Sequence, residues 1–223
     1  MKLQKPGLPA GLLFRSCLLS GGLSRRMGCD KALLTHPHGV TWLEATLALL
    51  LELERPLTLL SGHPTHHTLA QEWLAARASA GRSDPPIAFF LEPSPQEGPL
   101  MALGRLMEHH PGERLLLCPV DMPWLDLATL RALLVAAESD SRPDRIHLAH
   151  DGARLQPLLA LVPAPVDRRR RLELALEAGE RGLQRWLAGE AWRAVALPPG
   201  PLRNANRPED LGPSVFPSPA PGP

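Results

Sequence analysis

Short apolar runs alternate with longer amphipathic stretches along the chain. Gly11–Leu19 (GLLFRSCLL), Pro56–Leu60 (PLTLL), Pro86–Glu92 (PIAFFLE) and Arg114–Asp121 (RLLLCPVD) are brief and apolar, which predicts strands. Thr41–Glu54, Pro64–Ser79 and Gly98–His110 carry their apolar residues at helical spacing. A further helix follows Asp126, a suitable N-cap. Strand–helix alternation of this length predicts an α/β fold, a Rossmann-like mostly parallel sheet flanked by helices. The rhythm breaks at Arg145–Val162, where two β-like runs surround Asp151–Gly152. Both turn residues tolerate positive φ, so an antiparallel hairpin insertion is expected in the C-terminal half, as an excursion from the main sheet. Val166–Gly179 and Arg181–Gly189 read as helices, and Ala191–Leu197 as a late strand. Residues 1–10 read as a loose N-terminal tail and 11–211 as a single domain. Residues 212–223 (GPSVFPSPAPGP) read as a disordered proline-rich tail with too little apolar surface to pack.

Composition narrows the setting. The 223 residues are 44% hydrophobic and 21% charged, with a net charge of +1. A balance so near neutral supplies no bulk attraction to nucleic acid or to an anionic membrane. No apolar run reaches the ~18 residues of a spanning helix. Pro6, Pro9 and Arg15 interrupt any export-signal core near the N-terminus. The three cysteines, Cys17, Cys29 and Cys118, show no CxxC spacing, which fits a reduced, cytoplasmic chain.

Candidate chemistry starts at "CLLSGGLSRRMGCDKALL", Cys17–Leu34. Of 24 basic residues only Lys2, Lys5 and Lys31 are lysine, and Lys31 alone lies beyond the expected tail. A strand, a glycine-rich loop and a helix form the layout of an anion site, because Gly21 and Gly22 let backbone N–H groups approach phosphate. The loop is neither GxxxxGK[ST] nor GxGxxG, and a Gly-Gly pair alone reads equally as a surface turn. Arg25, Arg26 and Lys31 tip the balance, since three cations beside exposed donors suit a triphosphate. Asp121 closes the fourth apolar run, where α/β folds place ligands; it reads as a Mg²⁺ ligand or as a turn residue. Asn204 and Asn206 are the chain's only asparagines, spaced to face one side of an extended segment, or to form a turn before Pro208. His63, His66 and His67 read as a solvated helix start, His109–His110 as a helix C-terminus, and Arg168–Arg171 as a solvated charge run. Cys29 reads as a variable position in the loop.

These residues carry a resemblance. "LSGGLSRRMGCDKALL" resembles the LxGGxSxRMGxDK loop of molybdenum cofactor guanylyltransferases, with serine at position 20 where that family usually has alanine. The resemblance implies that Leu19, Ser20, Gly21 and Gly22 wrap the phosphates and ribose of GTP. Arg26 and Lys31 would then stabilise charge on the α-phosphate and the departing pyrophosphate. "LLLCPVDMPWL" resembles CxxDxPxL, which implies Asp121 as the Mg²⁺ ligand. "EGPLMAL" resembles GPLAGI near the base, departing from it at Met101 and Ala102. Glu92 stands about where the family carries a nucleotide-binding aspartate, and Ser61 where many relatives have asparagine. "NANRPEDL" resembles NxNTPEDL, which puts Asn204 and Asn206 near pterin or phosphates. "DGARLQPLLALV" is similar to the hairpin lining the acceptor side, with Gln156 and Pro157 matching. "AGERGLQRWL" resembles xGxRRxxxxL, with Arg181 as an anion contact. The matches run from Leu19 to Leu211, with an N-terminal half that would bind GTP and a C-terminal half that would bind molybdopterin. The implied reaction transfers GMP from GTP to molybdenum-loaded molybdopterin, giving the guanine dinucleotide cofactor and pyrophosphate. Cofactor-delivery proteins and acceptor molybdoenzymes are the implied partners. The alternatives are a molybdopterin cytidylyltransferase or sugar-phosphate nucleotidyltransferase of the same fold, and a non-catalytic nucleotide-binding relative.

Overall fold

Continuous apolar runs become strands here because helices cover both faces of the sheet they form. The computed structural model describes residues 13–22, 29–36, 39–93, 97–206 and 210; the two expected tails lie outside them. The strands are β1 (Arg15–Leu19), β2 (Leu57–Ser61), β3 (Ile87–Leu91), β4 (Arg114–Pro119), β5 (Ile146–His150), β6 (Leu155–Pro163) and β7 (Trp192–Ala196). The helices are α1 (Trp42–Leu51), α2 (Pro64–Ser79), α3 (Pro99–His109), α4 (Leu127–Glu138), α5 (Val166–Glu177) and α6 (Leu183–Leu187). Local chemistry sets their ends. Thr41 and Glu44 form a reciprocal capping box on α1, and Asp126 accepts from the Thr129 N–H at the start of α4.

The seven strands lie in the order β3-β2-β1-β4-β6-β5-β7. Among them β6 is reversed: it pairs antiparallel with β4 and with β5, and the other pairings are parallel. The hairpin at Asp151–Gly152 therefore exists, but it is no excursion. Its second strand slots between β4 and β5 and extends the main sheet. Alternate residues serve two cores, as a two-residue period requires. Leu116 and Cys118 pack on one face with Leu43, Leu47 and Leu130. Leu115 and Leu117 pack on the other with Leu100, Leu103 and Leu106. Cys17 and Cys118 are buried on opposite faces, and all three cysteines are free thiols. No helix among the described residues is long and apolar enough to cross a membrane.

The order in which strands are added to the sheet reverses at β1, whose parallel neighbours are β2 on one side and β4 on the other. Such a switch point leaves a crevice beyond the carboxyl ends of the two central strands. Ser20 and Asp121 lie there.

Two polar stretches expected in solvent are partly buried. His66 is fully buried, and Arg168 is 2% exposed. The Arg168 guanidinium donates to Glu190 at 2.7 Å and to the Pro163 and Asp144 carbonyls at 2.9 and 2.8 Å, so its charge is compensated. Burial also pushes the pKa values of His66, His110 and His147 below that of a free imidazole, because desolvation disfavours the charged ring. The folded state thus binds fewer protons at these rings than the unfolded chain, whose histidines titrate near ~6.5. Their contribution is fully present above that pH and is lost as pH falls. The Asp140 and Asp151 carboxyls are held down at about 2, chiefly by backbone N–H groups of Arg142 and Ala153. Their share is lost in a second, more acidic step. Melting temperature is therefore expected to be level from about pH 8 to 7, to fall below about pH 6.5, and to fall again below about pH 4. Circular dichroism melts across pH check this, and a melting temperature that rises on acidification would contradict it.

Candidate functional site

The crevice holds a cavity of about 260 Å³ whose walls include Ser20, Gly21, Gly22, Lys31, Glu92 and Asp121. Backbone bonds fix its floor. Ser20 N–H donates to the Leu60 carbonyl at 3.1 Å, and Val120 N–H donates to the Leu19 carbonyl at 3.0 Å. Leu19 itself lines the cavity at the end of β1. Gly98, the N-cap of α3 at φ +88°, lies on the same wall with Ala102 one turn on. Ala102, where the resemblance expected glycine, thus still faces the cavity.

Glu92 follows β3, and its carboxylate packs directly over Gly21. A Cβ at position 21 would meet the end of the Glu92 side chain, which would have to swing aside to admit it. Glu92 Oε1 accepts from Arg105 Nη1 at 3.2 Å, and Arg105 also pairs with Glu97. Burial pushes the Glu92 pKa up, and Arg105 opposes that shift. Gly21→Ala is expected to cost about 1–3 kcal/mol in urea unfolding, the usual penalty of overpacking. Adding Glu92→Ala should return most of that loss, and no recovery in the double variant would show that the collision is not the cause.

Lys31 is placed by a short 3₁₀ turn, Lys31–Leu33, capped by Asp30, whose side chain accepts from the Ala32 N–H. Lys31 Nζ donates to Asn206 Oδ1 at 2.7 Å and stands 3.3 Å from Asp121 Oδ2. These partners lie 175 and 90 residues away along the chain. The Ala205 N–H donates to the Asp121 carbonyl at 2.9 Å and fastens the asparagine segment to the end of β4. Three motifs quoted separately from the sequence thus meet at one ammonium. Arg25 and Arg26, the other expected cations, lie outside the described residues.

The remaining expected residues divide. Ser61 is fully buried and meets no cavity wall; its hydroxyl lies 2.8 Å from His66 Nδ1. Asn204 and Asn206 do not share a partner: Asn204 Nδ2 donates to Gln156 Oε1 at 3.0 Å. Gln156 Nε2 in turn donates to Asp151 Oδ2 at 2.8 Å, so a chain of amides ties the C-terminal segment to the hairpin turn. Arg181 points away. It is exposed, and its guanidinium donates to the Leu176 and Glu180 carbonyls. Three residues unforeseen as site members belong to this region: Asp30, His66 and Arg105. Asp30 stands in the quoted loop motif, but its contact with His66 spans 36 residues, and Arg105 has no motif signal of its own.

Comparison with known proteins gives the same picture. The MobA-like NTP transferase domain matches residues 16–195. The chain is 34% identical over 203 residues to a probable molybdenum cofactor guanylyltransferase of Rhodopirellula baltica, covering 88% of this chain and 89% of the relative. It is 29% identical over 194 residues to a molybdenum cofactor guanylyltransferase of a Shewanella species, covering 86% and 90%. The crystal structure of molybdopterin-guanine dinucleotide biosynthesis protein A from Archaeoglobus fulgidus superposes with a TM-score of 0.62 at 20% identity, covering 89% and 95%. At that identity the superposition speaks for the fold.

Proposed function

The chain belongs to the MobA-like NTP transferase family, and from that premise we propose that it transfers GMP from GTP to molybdenum-loaded molybdopterin. The observation that carries the proposal is the meeting of Lys31, Asp121 and Asn206 at the end of the glycine turn. The relatives' names favour guanylyl transfer over cytidylyl or sugar-nucleotide chemistry.

In this reading the triphosphate lies along the glycine turn, where Gly22 has open space around it and leaves room for close approach to the backbone. The pterin's terminal phosphate attacks the α-phosphorus in line, the bond to the β-phosphate oxygen breaks, and pyrophosphate leaves. Such transfer calls for positioning and charge compensation more than for a nucleophilic side chain. Lys31 compensates the negative charge that grows on the departing group. Glu92, held by Arg105, offers a carboxylate to N–H or O–H donors of the nucleoside. Gln156 and Asn204, joined to each other, belong to the acceptor side.

Asp121 and Asn206 present hard oxygen atoms to one cation, Lys31 Nζ, and that donor set suits Mg²⁺, which needs only one or two protein oxygens beside phosphate. When bound there, Mg²⁺ would draw charge from phosphate oxygens.

The test is incubation of the purified protein with Mg²⁺, molybdenum-loaded molybdopterin and GTP, with CTP replacing GTP in one parallel arm and a sugar phosphate replacing molybdopterin, beside a nucleoside triphosphate, in another. Pyrophosphate release and a guanine dinucleotide product by mass spectrometry are expected with GTP. Release only with CTP in place of GTP, or only with a sugar phosphate as the acceptor, would overturn the assignment, as would GTP binding without release.

A further inference from the structure

The transfer reading leaves one buried polar side chain at this end of the sheet without a task. His66 sits in the first turn of α2 and is fully buried. Its Nε2 stands 2.7 Å from Asp30 Oδ2. Its Nδ1 stands 2.8 Å from Ser61 Oγ and 3.1 Å from Ser20 Oγ. Beside a carboxylate the Nε2–H donates, which leaves Nδ1 to accept a serine hydroxyl proton. Ser61 is the nearer hydroxyl to give it: its oxygen accepts the His63 N–H at 3.0 Å, and its other acceptor, the His63 carbonyl, lies farther off at 3.4 Å. Burial favours this neutral ring.

One imidazole therefore ties the cap of the Lys31 turn to the carboxyl end of β2, with Ser20 at the end of β1 packed beside it. We propose that His66 is a positioning residue for the phosphate site, fixing Lys31 by holding its cap, Asp30, to the carboxyl end of β2 at Ser61. The inference rests on the transferase reading for what Lys31 does.

Two features of Asp30 give the link its importance. The turn it caps is three residues long and has little rigidity of its own; Asp30 Oδ1 holds it by accepting from Ala32 N–H at 3.0 Å. Among the described residues, the other oxygen is anchored by a ring packed inside the protein. A lysine side chain is flexible, so the placement of its ammonium depends on the backbone that projects it, and displacement by about 1 Å costs ~10²-fold in such sites. Asp30 also lines the cavity, where a loose carboxylate would repel a triphosphate. The His66 N–H holds it and partly offsets its charge.

Paired amide substitutions separate the two ends of the ring. A glutamine amide reaches the Nε2 position and can still donate to Asp30. An asparagine amide reaches only the Nδ1 position and cannot. His66→Asn is expected to lower kcat/KM for Mg·GTP ~30-fold, within the range for removing a residue that orients a site group. His66→Gln should restore it to within ~3-fold of wild type. In a Lys31→Ala background His66→Asn should cost no more than about 3-fold further, because residues acting through one another are not additive. Melts confirm that each variant is folded, and Mg·GTP affinity measured on the same proteins reads out the same comparison if turnover is absent. Equal losses in the two amide variants, a wild-type value in His66→Asn, or a full additional loss beside Lys31→Ala would each overturn the proposal. A wild-type protein that releases no pyrophosphate would instead overturn the transferase reading.

Discussion

Asp121→Ala is expected to lower kcat for pyrophosphate release ~10³-fold, about 4 kcal/mol of transition-state stabilisation, while barely changing stability. Asp121 is the carboxylate at the switch point and shares Lys31 Nζ with Asn206. Without it, the Mg²⁺ donor set proposed here shrinks to one neutral amide oxygen. Folding should tolerate the change for two reasons. The bond from Ala205 N–H goes to the Asp121 backbone carbonyl, which any residue supplies. The lost ion pair is partly solvated, with side chains 13% and 27% exposed, and such pairs contribute about 0–1 kcal/mol. Melting temperature should therefore move by no more than about 2–4 °C. Asp121→Asn sharpens the result. It keeps size and one oxygen but removes the charge, so it should fail nearly as badly as alanine. Pyrophosphate release by either variant at the wild-type rate would remove Asp121 from the chemistry.

What sequence reading captured and missed follows from how far each residue's partners lie. Gly21 was legible because a strand followed by Gly-Gly implies a close backbone approach. The body it approaches, the Glu92 carboxylate, comes from another strand. The hairpin was legible because Asp151 and Gly152 encode their own turn: Gly152 has φ +93°, and Asp151 Oδ1 accepts from Ala153 and Arg154 N–H groups. Its place between β4 and β5 was not, because two-residue alternation does not name a strand's neighbour. Lys31, Asp121 and Asn206 stood out singly through composition and motif, and only the fold makes them one cluster.

The two misjudged polar runs share a cause. His66 lies four residues before Ala70, and Arg168 four before Leu172; both followers are buried. Each polar side chain thus belongs to the inward stripe of its helix. Weighing residue type above helical position put both in solvent. Asp30 and Glu190, the carboxylates that make their burial tolerable, lie 36 and 22 residues away.

Lys31→Ala is expected to lower kcat/KM for GTP ~10²–10³-fold, the range seen when a preorganised charge-stabilising donor is removed. The more telling variant is Lys31→Arg, which in a chain otherwise rich in arginine keeps the charge and alters only its shape. Nζ fits between two oxygens from separate segments, at 2.7 and 3.3 Å, in a side chain only 13% exposed. An ammonium presents three donors around a point and can serve both oxygens while turning toward phosphate. A guanidinium presents a planar fork that suits two oxygens of one carboxylate or phosphate. Placed here, it would bind Asp121 bidentately and lose Asn206, or displace the segment that Ala205 fastens to Asp121. Lys31→Arg should therefore remain at least ~10-fold below wild type, with most of the loss in kcat, since the growing charge on pyrophosphate is what the compact ammonium meets. Recovery of wild-type kcat by Lys31→Arg would mean that net charge alone suffices, and the geometry of the Lys31–Asp121–Asn206 cluster would then need another purpose.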